Sequence, residues 1–109
     1  MQKSFKVYGQ VQGVMFRQTF IRGLIKRGLQ GGATNQKDDD KTVHITIKAD
    51  SEELINKVIN DLIEIKIINS WKATIEKIDE INPIAISKHE VTTENVDKHK
   101  WSSGVEFYF

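Results

Sequence analysis

Val7-Tyr8-Gly9-Gln10-Val11-Gln12-Gly13-Val14-Met15-Phe16-Arg17 is the stretch from which the fold reads outward. Upstream, residues Ser4 to Val11 alternate, with Phe5 and Val7 on one face and Lys6 and Tyr8 on the other, which predicts a β-strand. Gly9 and Gly13 break that pattern. Downstream, Phe16, Phe20, Ile21, Leu24 and Ile25 recur at three-to-four spacing, which predicts an amphipathic helix from about Phe16 to Arg27. Gly28 is a suitable stop. A strand therefore turns into a helix through a glycine corner. Backbone N–H groups at such a corner, with the helix dipole behind them, form an anion site. Arg17, in the first helical turn, can fold a bidentate guanidinium over the same anion. The plain alternative is a turn whose glycines serve only geometry and whose arginine is a surface charge. No Gly-Lys-Ser/Thr follows, so this is not a Walker loop.

Beyond the corner, Leu29 to Asn35 reads as a short glycine-containing strand and Lys37 to Lys41 as a polar turn. Val43, Ile45, Ile47 and Ala49 then alternate with His44, Thr46 and Lys48, the clearest strand in the chain, so the pair forms a hairpin. Asp50-Ser51-Glu52-Glu53 has the form of a capping box with Asp50 as cap. Leu54, Ile55, Val58, Ile59, Leu62 and Ile63 continue it as a helix to about Ile65. Trp71 to Ile81 reads as a fourth strand with a bulge, because Ala73 and Ile75 are in phase and Ile78 is not. Residues 84–103 show no period and read as a long loop or a poorly ordered segment. Val105, Phe107 and Phe109 alternate, which predicts a short edge strand at the chain end. The order β-α-β-β-α-β plus a terminal strand predicts an α+β, ferredoxin-like sandwich with two helices on one face of an antiparallel sheet. That architecture names no function.

Composition limits the function further. The chain has 109 residues, 39% hydrophobic and 28% charged, which fits one globular domain spanning 1–109. It has no cysteine, which excludes disulfides, iron–sulfur clusters, thiol nucleophiles and Cys-type zinc sites and fits a reducing, cytoplasmic setting. No apolar run nears the roughly 20 residues of a membrane span, and Met1 to Phe5 holds no apolar signal core. Net charge is +1, so neither nucleic acid nor a membrane is an expected partner. Thirteen of the basic residues are lysine; the three arginines, Arg17, Arg22 and Arg27, lie within eleven residues. At about 100° per residue, Arg22 lies roughly 140° around the helix from Arg17 and Arg27 roughly 80° the other way, so they form no stripe. Only Arg17 faces the corner.

The opening stretch resembles the acylphosphatase signature V-x-G-x-V-Q-G-V-x-F-R, with all eight fixed positions present. The family's second block, G-W-V-x-N, is matched by Gly31 and Asn35 of Gly31-Gly32-Ala33-Thr34-Asn35. The resemblance is close over the first half and continues by element order. It implies a monomeric hydrolase that cleaves acyl phosphates to a carboxylate and inorganic phosphate, without metal or cofactor. Carried over by position, Arg17 binds the phosphoryl oxygens, Asn35 orients the attacking water, and the backbone N–H groups of Gln12, Gly13, Val14, Met15, Phe16 and Arg17 cradle the phosphate. The chemistry suits so few groups, because phosphoryl transfer needs mainly positioning and charge stabilisation.

The chain departs from that pattern in three places. Gly32 and Ala33 replace the family tryptophan and valine, the turn before Lys41 is longer and lacks its glycine, and residues 84–103 exceed what the family needs. Trp71 or Trp101 is a candidate to fill the missing tryptophan's place, although nothing in the sequence argues for it. Asp38-Asp39-Asp40, flanked by lysines, reads as a solvated turn, and His44, His89 and His99 lack zinc spacing. Two rivals remain: an acylphosphatase-like module that binds a phosphorylated or carbamoylated group with little turnover, and, more distantly, an RNA-binding ferredoxin-like domain.

Overall fold

The computed structural model describes all residues, 1–109. In chain order the main elements are β1 (Gln2–Gln10), α1 (Phe16–Lys26), β2 (Gln30–Asn35), β3 (Thr42–Lys48), α2 (Glu52–Ile65), β4 (Thr74–Ile81) and β5 (Val91–Thr92). The sheet order is β4-β1-β3-β2-β5, and every neighbouring pair is antiparallel. Both helices pack on one face of it, as the period of each segment predicts. Phe5, Val7, Ala33, Val43, Ile45, Ile47 and Ile75 point from the sheet into a core shared with Phe16, Phe20, Ile21 and Leu24 of α1 and Ile55, Val58 and Leu62 of α2. Each large side chain so buried contributes about 1.5–3 kcal/mol. The bulge expected in β4 lies at Glu76: Tyr8 pairs with Lys77 and Gly9 with Ile75, which leaves Glu76 unopposed. Gly9 (φ 144°) is required there, since a Cβ would collide with the Thr74 carbonyl.

Three expectations need correction. The α2 cap is Ser51, one residue after the expected Asp50, and its hydroxyl accepts from the Leu54 N–H at 3.3 Å. The chain end is not an edge strand: Phe107 makes one isolated bridge to Asn69, and Phe109 leaves the sheet for the core. It stacks on Phe20 (6.1 Å between centroids) in space that Gly23 leaves open, so burial overrides the alternation. The fifth strand comes instead from residues 84–103. This segment is neither a plain loop nor poorly ordered, and folds as two short 3-10 turns (Ile86–Lys88, Val96–Lys98) around β5.

That segment covers part of the sheet face opposite the helices. His89, 6% exposed, packs on Gly32, where a Cβ would come within 2.7 Å of it. Neither tryptophan takes the place of the family tryptophan; His89 does. Its Nδ1 meets Thr34 Oγ1 at 2.8 Å and its Nε2 meets Thr46 Oγ1 at 2.7 Å. Thr46 gives its proton to the Ile84 carbonyl at 2.8 Å, so Nε2–H donates to Thr46 and Nδ1 accepts from Thr34. The neutral ring satisfies both contacts, and burial disfavours its charged form. Burial, helped by His44, pushes the His89 pKa down from 6.5 to about 4. Between those values the folded protein binds fewer protons than the unfolded chain. The contribution is complete above pH 6.5 and is lost as pH falls toward 4, by about 3 kcal/mol. Urea unfolding at stepped pH should show wild type losing more stability than His89→Gln across that window. Parallel curves would reject the buried neutral imidazole.

Candidate active site

The corner between β1 and α1 is held by two side chains, one of its own and one from the segment after α2. Gln12 turns away from the helix, and its amide donates to the carbonyls of Gln36 (2.9 Å), Asp39 (3.1 Å) and Thr42 (2.9 Å), which fixes the longer β2–β3 turn to the loop. Buried Asn69 donates to the Val14 carbonyl at 2.8 Å and to Thr19 Oγ1 at 2.9 Å. Its own oxygen accepts from the Trp71 and Ala73 N–H groups. Gly13 (φ 74°) and Met15 (φ 59°) take left-handed conformations, which curl the loop over the helix start. Met15 is the N-cap residue and makes no side-chain cap bond. The six backbone N–H groups from Gln12 to Arg17 have no partner within the protein. Uncapped helix donors of this kind carry the positive end of the dipole.

Beside the loop lies a cavity of about 100 Å³ lined by Val11, Gly13, Met15, Phe16, Arg17, Asn35 and Trp101. Of the expected residues it therefore gathers Gly13, Met15, Phe16, Arg17 and Asn35. Gln12 and Val14 do not line it. Asn35 ends β2 on the helix-side face, and its buried Oδ1 has no hydrogen-bond partner. An orphaned buried acceptor calls for an explanation, and a water molecule or ligand donor would satisfy it. The Arg17 Nη1 reaches Glu90 Oε1 at 3.4 Å, and its guanidinium lies 6.0 Å from the Trp101 ring. Trp101 is itself oriented by its indole N–H, which donates to the Val96 carbonyl at 2.6 Å. Glu90 Oε1 also accepts the Asn35 backbone N–H at 2.9 Å.

Glu90, Asn69 and Trp101 were not legible as site residues. The one available signal was Gly32: a glycine where the family carries tryptophan leaves space that another segment must fill. The other two arginines are spoken for elsewhere, Arg22 by Asp97 at 3.0 Å and Arg27 by the Gly23 carbonyl and the Phe109 ring. Across the protein, no group of three or more His, Asp and Glu side chains converges as a metal site. No helix is long and apolar enough to cross a membrane.

A family model, acylphosphatase, matches residues 3–103. The chain belongs to the acylphosphatase family. A solved acylphosphatase from Bacillus subtilis is similar in fold at a TM-score of 0.59, with 24% identity over 81% of this chain and 90% of that one. An acylphosphatase from Coxiella burnetii is 18% identical over 82% of this chain and 87% of that one, at a TM-score of 0.44. No curated protein matches the chain. Membership implies hydrolase activity, and the family acts on small-molecule acyl phosphates.

Proposed function

We propose that this acylphosphatase hydrolyses the carboxyl–phosphate bond of acyl phosphates by direct attack of an oriented water. The observation that carries the proposal is the run of six unpartnered N–H donors, from Gln12 to Arg17, beside the Arg17 guanidinium and the orphaned Asn35 Oδ1. In this reading the N–H groups and Arg17 take the phosphoryl oxygens and stabilise the charge on them in the transition state. Asn35 Oδ1 accepts a hydrogen bond from the water and holds it in line with the bond that breaks. The bond to the carboxylate oxygen breaks as the water oxygen bonds to phosphorus. The leaving group is stable as an anion, since its conjugate acid has a pKa of about 4 to 5, so it needs little protonation. The water oxygen ends on phosphate, the proton it sheds passes to a phosphoryl oxygen, and the acyl oxygen leaves with its electron pair. A site built from backbone and one arginine reads the phosphate more than the acyl group.

Benzoyl phosphate given to the purified protein should release inorganic phosphate well above the uncatalysed rate. Release at background would sink the enzyme reading. Asn35→Ala should lower kcat by about 10²-fold while inorganic phosphate still binds. Loss of phosphate binding as the main effect would contradict the water-orienting role.

A further inference from the structure

We infer that Glu90 is a positioning residue that aims Arg17 at the phosphoryl group, an assignment that rests on the proposed hydrolysis. One carboxylate oxygen accepts both the Asn35 backbone N–H (2.9 Å) and the Arg17 Nη1 (3.4 Å). Arg17 belongs to α1 and Asn35 to β2, and no other side chain bonds to both. Glu90 thus ties the anion-binding residue to the water-orienting one across the cavity they share.

The carboxylate is carried by a firmly held stretch of backbone. The Glu90 N–H donates to Thr34 Oγ1 at 3.0 Å, its carbonyl accepts from Asn95 Nδ2 at 3.2 Å, and His99 Nε2 lies 3.2 Å from the same carbonyl. The residue before it, His89, is buried on Gly32. An arginine side chain has many accessible rotamers, so an unheld guanidinium spends much of its time away from any one position. Glu90 restrains it before substrate arrives. Only Nη1 is engaged, and the other N–H donors of the fork stay available for oxygens of the phosphoryl group. The carboxylate charge also weakens the pull of Arg17 on phosphate, so Glu90 favours orientation over simple anion affinity.

The test compares Glu90→Ala and Glu90→Gln in hydrolysis of benzoyl phosphate, with inorganic phosphate as competitive inhibitor. Glu90→Ala should lower kcat about ten-fold or more while the phosphate inhibition constant does not rise. Glu90→Gln keeps an oxygen that accepts from both partners and should recover most of the lost turnover. If Glu90→Ala keeps kcat within two-fold of wild type, or loses turnover and phosphate binding together, the assignment is overturned. Amide and arginine Nε–Hε spectra of ¹⁵N-labelled protein supply a readout independent of turnover. The Asn35 amide and the Arg17 Nε–Hε signals should move in Glu90→Ala and stay near their wild-type positions in Glu90→Gln. Should wild type fail to hydrolyse benzoyl phosphate, the proposed reaction fails by itself, and these two signals decide the role of Glu90. Signals unmoved in Glu90→Ala would overturn it.

Discussion

Replacing Arg17 by alanine is expected to lower kcat/KM for benzoyl phosphate by about 10³-fold while leaving the fold intact. The two halves of that expectation have separate physical sources. In the transition state, negative charge spreads over the equatorial phosphoryl oxygens, and Arg17 is the only cationic side chain lining the cavity. Removing it leaves backbone dipoles alone to meet that charge. For stability the side chain matters little. It is 26% exposed, packs near the rim residue Trp101, and its one ion pair is long and partly solvated, worth about 0–1 kcal/mol. Initial rates and a thermal melt on the same preparation separate the two. Arg17→Lys should recover only part of the activity, because an ammonium is a point charge without the planar fork. Equal turnover by wild type and Arg17→Ala would remove Arg17 from the mechanism.

Gly32→Trp, which restores the residue usual in the family, is expected to destabilise this chain by about 3 kcal/mol or more. On the face away from the helices, a Cβ at residue 32 already meets His89 Cβ and Cγ at 2.7 Å. An indole there must evict the imidazole, and with it the bonds to Thr34 and Thr46. Those hydroxyls also serve Ile84 and Glu90, so the disturbance spreads to the residue that contacts Arg17. Denaturant unfolding should show the loss, and activity should fall along with it. The double variant Gly32→Trp, His89→Ala should regain part of the stability, since the evicted ring is then absent. An unchanged midpoint in Gly32→Trp would show that His89 does not depend on the missing side chain.

The parts of the fold that the sequence disclosed are those with a period. β1 and β3 alternate, α1 and α2 repeat their apolar residues at helical spacing, and the β4 bulge showed as a phase slip between Ile75 and Ile78. Each of these signals lies within a dozen residues. β5 is two residues long, too short for any period, and exists because residues 91 and 92 meet Ala33 and Gly32 across the sheet. Phe109 alternates like a strand but obeys the space beside Gly23, more than eighty residues earlier in the chain. At the site the distinction is the same. Arg17 and Asn35 stand in recognisable motifs, and the cavity brings them together. Glu90 approaches them from a polar segment with no pattern, so its contact with Arg17, 73 residues away, is a product of packing alone.

The short β5 strand also bears on how the sheet edges are covered. A sheet edge with unpaired N–H and C=O groups is a template on which another chain can add a strand. On the β4 side that row is broken by the unopposed Glu76, carries the Lys77–Asp79 pair (3.1 Å), and is partly occupied where the Lys66 carbonyl accepts from the Ile75 N–H. On the other side β5 pairs with Gly32 and Ala33 only. The same residues that bring Glu90 to the site therefore shield a glycine-rich edge. Displacing residues 84–103 would uncover that edge together with Val91 and Val96, which are now buried in the core, so edge protection and core packing depend on one segment.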